Sequence, residues 1–370
     1  MLPHVQRLHF YNSTTLQLYN STMATTTRTD VNKLGEFGLI DHLTASFKNR
    51  QKSTILGVGD DAAIIDTGGP EQLVVSTDML VEGIHFDFAY TPLKHLGYKS
   101  VAVNVSDICA MNARPQQITV SIALSNRFSV EALEEFYAGV QAACDKYGVD
   151  LVGGDTTSSN KGLIISVTAI GRAPAERITR RSTAKVGDII CVTGHLGSAY
   201  LGLQLLEREK QVYLSNPDMQ PQMKEENKEL YAAILRPEAR TDMIDLFVKN
   251  DIIPTSMIDV SDGLASELFH ICKQSGVGAM IEEGNVPIRQ EAQLQALEFN
   301  LDPITVALSG GEDYELLFTI DPKDVEKVRF LPNIYISGEI VAKADGVKLH
   351  TTGGNIHPIT AQGWNHFKGF

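Results

Sequence analysis

Six short segments of the chain set aspartates beside glycine, serine or threonine, each next to an apolar run. They are Gly59-Asp60-Asp61, Ser76-Thr77-Asp78, Asn104-Val105-Ser106-Asp107, Gly153-Gly154-Asp155-Thr156-Thr157, Asp259-Val260-Ser261-Asp262-Gly263 and Gly310-Gly311-Glu312-Asp313. A carboxylate among Val, Ile and Leu is costly to bury unless its charge is compensated. Glycine and small hydroxyl residues mark tight turns at the ends of strands. Many acids converging on one place point to hard cations, and hard cations point to phosphates. The chemistry this pattern suggests is phosphoryl transfer from ATP.

Each segment has a plainer reading when taken alone. Asp60 and Asp61 are adjacent, so on an extended chain one faces a metal and the other the scaffold; a simple β-turn explains them as well. Asp78 begins a magnesium shell that hydroxyls or carbonyls of Ser76 and Thr77 would complete. Asp107 stands on an apolar helical stretch and needs a partner there, unless it faces solvent. Gly153-Gly154-Asp155 allows a close backbone approach to a phosphate, or is a turn that ends a strand. Ser261 or Asp262 serves the same site or caps a helix. The phosphate-binding loop Gly-x-x-x-x-Gly-Lys-Ser/Thr, the protein-kinase signature set and the Gly-x-Ser-x-Gly elbow are all missing from the sequence. Phosphate binding would then fall to metals on aspartates and a few cations.

The elements that must position these residues follow from periodicity. Helical spacing covers 34–47, 93–111, a helix to about Tyr147 capped by Ser129, a helix through Leu206, and 262–274. Strands are expected at 55–65 (interrupted by the Gly-Asp-Asp turn), 73–76, 117–124, 149–152, 163–170, 188–193, 257–259, 277–281, 316–320 and 334–337. A basic, turn-rich stretch at 172–187 with Arg177, Arg180 and Arg181 suggests the domain boundary. The expected division is an N-terminal α/β domain at 32–171 and a C-terminal α+β domain at 172–370. The polar stretch 208–229 is expected to be a helical insertion or a mobile surface segment.

Composition bounds the rest. A chain of 370 residues, 43% hydrophobic, suits about two domains. A net charge of −13 without a basic cluster argues against nucleic-acid binding, and no apolar run approaches the roughly 18–20 residues of a membrane span. Cys109, Cys144, Cys191 and Cys272 are far apart and form no Cys-x-x-Cys pair, so buried small residues in a reducing, cytoplasmic setting are expected. Residues 1–31 are poor in acids and rich in Ser and Thr; the expectation is a disordered tail or a start codon set too early, with Met23 as the alternative start.

Taken in order, the motifs are far more specific than any one of them. GVGDDA from Gly57, STDMLVEGIHF from Ser76, NVSD from Asn104, GGDTT from Gly153, MIDVSDGL from Met257 and SGGEDYE from Ser309, with GWNHF from Gly363 near the end, closely resemble the thiamine-monophosphate kinase family. The resemblance runs from about Gly35 to Phe367, with Asn112 standing where the family has glycine after Ala-Met. It implies the two-domain aminoimidazole-ribonucleotide-synthetase-like fold, α/β plus α+β, with the N-terminal sheet pairing in a homodimer. It implies transfer from ATP to thiamine monophosphate, giving thiamine diphosphate, with several Mg2+ ions. It further implies that Asp61, Ser76, Thr77, Asp78, Asp107, Asp155, Asp259 and Asp262 hold metal, that Gly154, Asp155, Arg181 and Ser261 contact ATP, and that His85, Glu312 and Trp364 contact the substrate. Asp60 is implied to support the site. No general base is assigned, because a phosphate monoester with a second pKa of about 6 is largely deprotonated at neutral pH. Trp364, the single tryptophan, offers an aromatic face for the thiazolium cation or an anchor for the tail.

Overall fold

The computed structural model describes residues 33–219 and 222–360. The chain divides into two compact units. The described part of the first holds one helix, α1 (Gly35–Thr44). Everything below concerns the second, from Phe47 onward.

Its N-terminal half is a six-stranded sheet built from β1 (Thr54–Leu56), β2 (Ala63–Asp66), β3 (Glu71–Val81), β4 (Arg114–Leu124), β5 (Asp150–Ser158) and β6 (Ile164–Pro174), in the order β1-β2-β3-β6-β4-β5. The β4–β5 pair is parallel and the other pairs are antiparallel. Alternation sends Val74, Ser76 and Leu80 of β3 to one face, and Ile165, Val167 and Ala169 of β6 beside them. That face packs on α2 (Leu93–Ala110) and α3 (Val130–Tyr147). β3 runs well past the expected 73–76, because its polar residues weaken the β signal while the unbroken ladder to β6 carries them. Gly153-Gly154-Asp155 lies inside β5 and does not end it. A Cβ at Gly154 would sit 1.8 Å from Val120 O, so this glycine lets two strands meet.

The C-terminal half holds β7 (Ile189–Thr193), β8 (Ser256–Asp259), β9 (Gly278–Glu282), β10 (Leu316–Ile320), β11 (Ile334–Val341), β12 (Val347–His350) and β13 (Ile356–Pro358), ordered β13-β12-β9-β11-β7-β10-β8. One face, with Ile190, Val192, Ile258 and Leu317, packs on α7 (Leu264–Ser275). The other, with Cys191, Met257 and Phe318, joins the core that contains α2. Helices α4 (Ser198–Ser215), α5 (Lys228–Leu235), α6 (Thr241–Lys249), α8 (Gln290–Glu298), α9 (Pro303–Ser309) and α10 (Val325–Val328) complete it. All four cysteines are buried and free.

Helix α2 is therefore central. From Leu96 to Ala110 every residue is buried except the half-buried Asp107. It ends at Asn112, whose φ of 54° is the left-handed conformation that asparagine tolerates better than other side chains. Its Nδ2 donates to Arg177 O at 2.8 Å. Near its other end α2 crosses α3 at two glycines. A Cβ at Gly97 would lie 2.0 Å from Phe136 O, and one at Gly139 would lie 1.9 Å from Lys94 O. Both obstacles are backbone, so no rotamer change relieves them. Gly139→Ala is expected to lower Tm by about 5 °C or more through overpacking; a thermal melt with Tm unchanged would show that the helices separate at no cost.

Candidate active site

Three elements bring Asp61, Asp107 and Asp259 together: the loop before β2, helix α2 and the end of β8. A carboxylate oxygen from each lies within 4.8 Å of the others. The Ser76 hydroxyl on β3 donates to Asp107, and Ser106 Oγ donates to Asp259 Oδ2 at 2.5 Å. Arg181 donates to Asp61 Oδ1, while Asp61 Oδ2 is buried without a hydrogen-bond partner among the described residues.

Burial pushes all three acids above the usual carboxylate range. Asp61 is raised to about 8, with Arg181 opposing the burial and Asp259 and Asp60 adding to it. Asp107 is raised well above its ordinary value by burial and then by the charges of Asp78, Asp259 and Asp61. Asp259 is raised by burial against the pull of Ser106 and Arg181. Two ionised carboxylates this close repel by about 3–4 kcal/mol at an effective dielectric constant of about 20. Three such pairs rival the whole stability of a domain, so the cluster must hold protons or a cation. An all-oxygen donor set with an orphaned, buried carboxylate oxygen fits a hard divalent ion.

The other expected residues fall into distinct places. Alternation along β3 puts Asp78 on the face of Ser76; its N–H donates to Asn104 Oδ1 of α2 at 2.9 Å, and its charge reaches Asp107. The Thr77 hydroxyl points to the opposite face and donates to Val167 O at 3.0 Å. Asp60 lies 3.3 Å from Arg181 Nε, so the guanidinium is held between Asp60 and Asp61. The Arg181 carbonyl in turn accepts from Ser256 and Ser275. Ser261 Oγ and Asp262 N–H both donate to Glu267, at 3.5 and 3.0 Å. Asp155 is exposed on β5 and caps its own neighbour, Thr156 N–H, at 2.9 Å. Its row runs through Ser121 and Ser166 to Met79, next to the row of Asp78 and on the other face. Three strand steps, about 14 Å, separate it from β3, so one chain does not bring Asp155 and Gly154 to the aspartate trio.

His85 accepts from Val81 N–H through Nδ1 at 3.0 Å, which places the proton of the neutral ring on Nε2, a donor. Its loop is pinned to α4 by Asp87–Lys210 at 2.8 Å and by Tyr90 OH donating to Glu207 at 2.8 Å. The polar stretch 208–229 thus begins as an extension of α4 that anchors this loop. Glu312 carries a φ of 61° and pairs with Lys99 of α2 at 2.5 Å. Tyr314 is also left-handed, φ 51°, an unusual state for a bulky residue and one that concentrates at functional sites. Trp364 lies outside the described residues.

Lys99 and Glu267 escaped the reading of the sequence, while Asn104, Ser106 and Tyr314 stood inside quoted motifs without an assigned role. Lys99 carried the signal that marked Asp107, a charge in an apolar helical run. The remaining acids of the last motif are scaffolding. Asp313, raised to about 7 by burial, accepts from Gly197 N–H and Ala199 N–H at the start of α4. Glu315 accepts from Thr193 and Arg240.

Residues 59–173 match the family described as AIR synthase related protein, N-terminal domain, and residues 185–346 match its C-terminal domain. The thiamine-monophosphate kinase of Aquifex aeolicus is 34% identical over 90% of this chain and 99% of its own. That of Bacillus subtilis is 33% identical over 90% of this chain and 100% of its own. A solved structure described as AaThiL complexed with AMPPCP and TMP superimposes with a TM-score of 0.79 at 31% identity, covering 93% of this chain and 100% of that one. With the two-domain fold and the buried aspartate cluster in place, these likenesses over nearly full length settle the relationship, and the chain belongs to the thiamine-monophosphate kinase family.

Proposed function

We propose that the chain transfers the γ-phosphoryl group of ATP to the phosphate of thiamine monophosphate, producing ADP and thiamine diphosphate. The observation that carries this is the convergence of Asp61, Asp107 and Asp259 in a buried all-oxygen cluster, in a member of this family. Asp61, Asp107 and Asp259, with Asp78, Ser76 and Asp262 beside them, would hold Mg2+; Thr77, by its side-chain direction, has only its carbonyl to offer. Bound Mg2+ would neutralise phosphate charge and hold the two phosphates in line. Arg181 opposes the rise that burial imposes on Asp60 and Asp61, and with Ser261 it would contact a nucleotide phosphate. His85 offers Nε2–H and Glu312 a carboxylate to the substrate, with Trp364 the aromatic contact. The acceptor phosphate is already anionic at neutral pH, so positioning and charge stabilisation suffice without a base.

The homodimer belongs to the same proposal. All nine residues of β5 are exposed, with Leu151 and Val152 on an open edge, and an open apolar edge invites a further strand. Gly154 and Asp155 lie on that edge, so we tie their contact with ATP to the dimer. The division at 171/172 and a cytoplasmic location complete the reading; among the described residues no helix is long and apolar enough to cross a membrane.

The test is thiamine diphosphate formation from ATP and thiamine monophosphate, with and without Mg2+, resolved by chromatography. Magnesium-dependent product is expected. No product from folded protein that still binds ATP would overturn the substrate assignment in favour of a sister activity of the superfamily.

A further inference from the structure

Lys99 is a buried cation on an apolar helix, its side chain 4% exposed. Its ammonium donates to Glu312 Oε2 at 2.5 Å, one of the three hydrogen bonds an ammonium can make. Nearby cations are more fully engaged: Arg181 by Asp60 and Asp61, Arg240 by Asp242 and Glu315. The Glu312 end of the pair is tied by backbone hydrogen bonds to the segment that follows Asp259 of the acid cluster. Glu312 N–H donates to Ser261 O at 2.7 Å, and Tyr314 N–H to Val260 O at 2.9 Å, just beyond Asp259. The Tyr314 hydroxyl feels the charges of Glu312, Asp78, Asp259 and Asp107 together. Glu312 is one-third exposed, so its carboxylate can turn to solvent or to a ligand without being stranded.

The substrate of the reading above carries one cationic ring and one anionic phosphate, the same two signs as this ion pair. Resting on that reading, we propose that the Lys99–Glu312 pair is a placeholder for the substrate's own charges. On binding, Glu312 exchanges Lys99 for the thiamine cation, and the Lys99 ammonium turns to the monophosphate. The pair holds both side chains in position while the site is empty and prevents the Lys99 charge from being buried alone. It also makes the site selective for the phosphorylated vitamin. Thiamine alone must separate the pair and leave Lys99 buried without an anion, whereas the monophosphate satisfies both partners.

The experiment is calorimetric titration of thiamine monophosphate and of thiamine, in the presence of Mg2+, into the wild type and into Lys99→Met and Glu312→Gln. In Lys99→Met, thiamine monophosphate is expected to bind about tenfold or more weakly, the loss of one charge-assisted hydrogen bond. Thiamine is expected to bind as well as before or better, because Glu312 has lost its competitor. In Glu312→Gln the preference for the monophosphate should widen, because Lys99 is released to the phosphate while the cation loses its partner. The preference ratio therefore moves in opposite directions in the two variants, a result that partial damage to the fold would not produce. Equal weakening of both ligands in Lys99→Met would make Lys99 a mere support for Glu312 and overturn the proposal, as would no change in either ligand. Wild-type binding of thiamine monophosphate without its phosphorylation would count against the activity proposed above and leave this assignment standing on the ratios.

Discussion

Replacing Asp107 by asparagine is expected to lower turnover about a thousandfold or more while making the metal-free protein more stable, since a ligand of the catalytic ion is lost together with one buried like charge. The two effects share one cause. Asp107, Asp61 and Asp259 repel one another within 4.8 Å, and asparagine keeps an acceptor for the Ser76 hydroxyl while removing a charge. The sign of the pH dependence follows. The folded pKa values of the three acids are raised above their unfolded values. Their contribution to stability is therefore fully present below the unfolded aspartate pKa of about 4 and is lost as pH rises through the folded values. For Asp61 that window closes at about 8. In chelator-treated wild type, Tm should fall across this window, and it should fall less steeply in Asp107→Asn. Mg2+ should restore stability to the wild type above neutral pH and do so far less in the variant. Calorimetric scans at several pH values, with and without Mg2+, check this. A variant that turns over normally, or whose metal-free Tm drops, would remove the cluster from the metal site.

The second large effect concerns Arg181. Its guanidinium sits between two carboxylates whose side chains are 2% and 4% exposed. Removing one member of such a buried group leaves charge uncompensated and costs about 3–5 kcal/mol. Arg181→Met is expected to lower Tm by about 10 °C. It also removes the charge that opposes the rise of the Asp61 and Asp60 pKa values, so Asp61 should hold its proton to still higher pH than in the wild type and the Mg2+ requirement should increase. Arg181→Lys keeps the charge but loses the fork geometry and should fall between. Melting curves and Mg2+ titrations of activity separate two roles. An unchanged Tm with a raised KM for ATP would make Arg181 a nucleotide contact alone.

The site was legible in the sequence where chemistry and local pattern coincide. Asp61, Asp107 and Asp259 were marked by acids inside apolar runs, and the structure brings those three together. Asp155 was marked in the same way, yet within one chain it lies on an edge strand facing elsewhere. Local pattern reports that an acid adjoins a strand; only sheet order and pleat decide which face it takes. Thr77 shows the same limit, since period-2 alternation separates its hydroxyl from Ser76 and Asp78 on either side. Gly154 was read as room for a phosphate; the close approach of Val120 O of β4 to where its Cβ would sit is a second demand for glycine there that the sequence did not show. The Lys99–Glu312 and Ser106–Asp259 contacts were beyond reach, because nothing local in either partner names the other.

That long-range character also bears on how the chain is made. Lys99 and Glu312 are 213 residues apart and Ser106 and Asp259 are 153 apart. At synthesis rates of about 5–20 residues per second, α2 leaves the ribosome roughly 10–40 seconds before Glu312 does. Until then one side of a helix that ends up almost wholly buried, with Lys99 lacking Glu312 and Ser106 lacking Asp259, has no C-terminal sheet to lie against. The N-terminal half made alone would expose the face that the C-terminal sheet covers, and severing the chain between the halves is expected to leave a fragment that aggregates more readily than the whole.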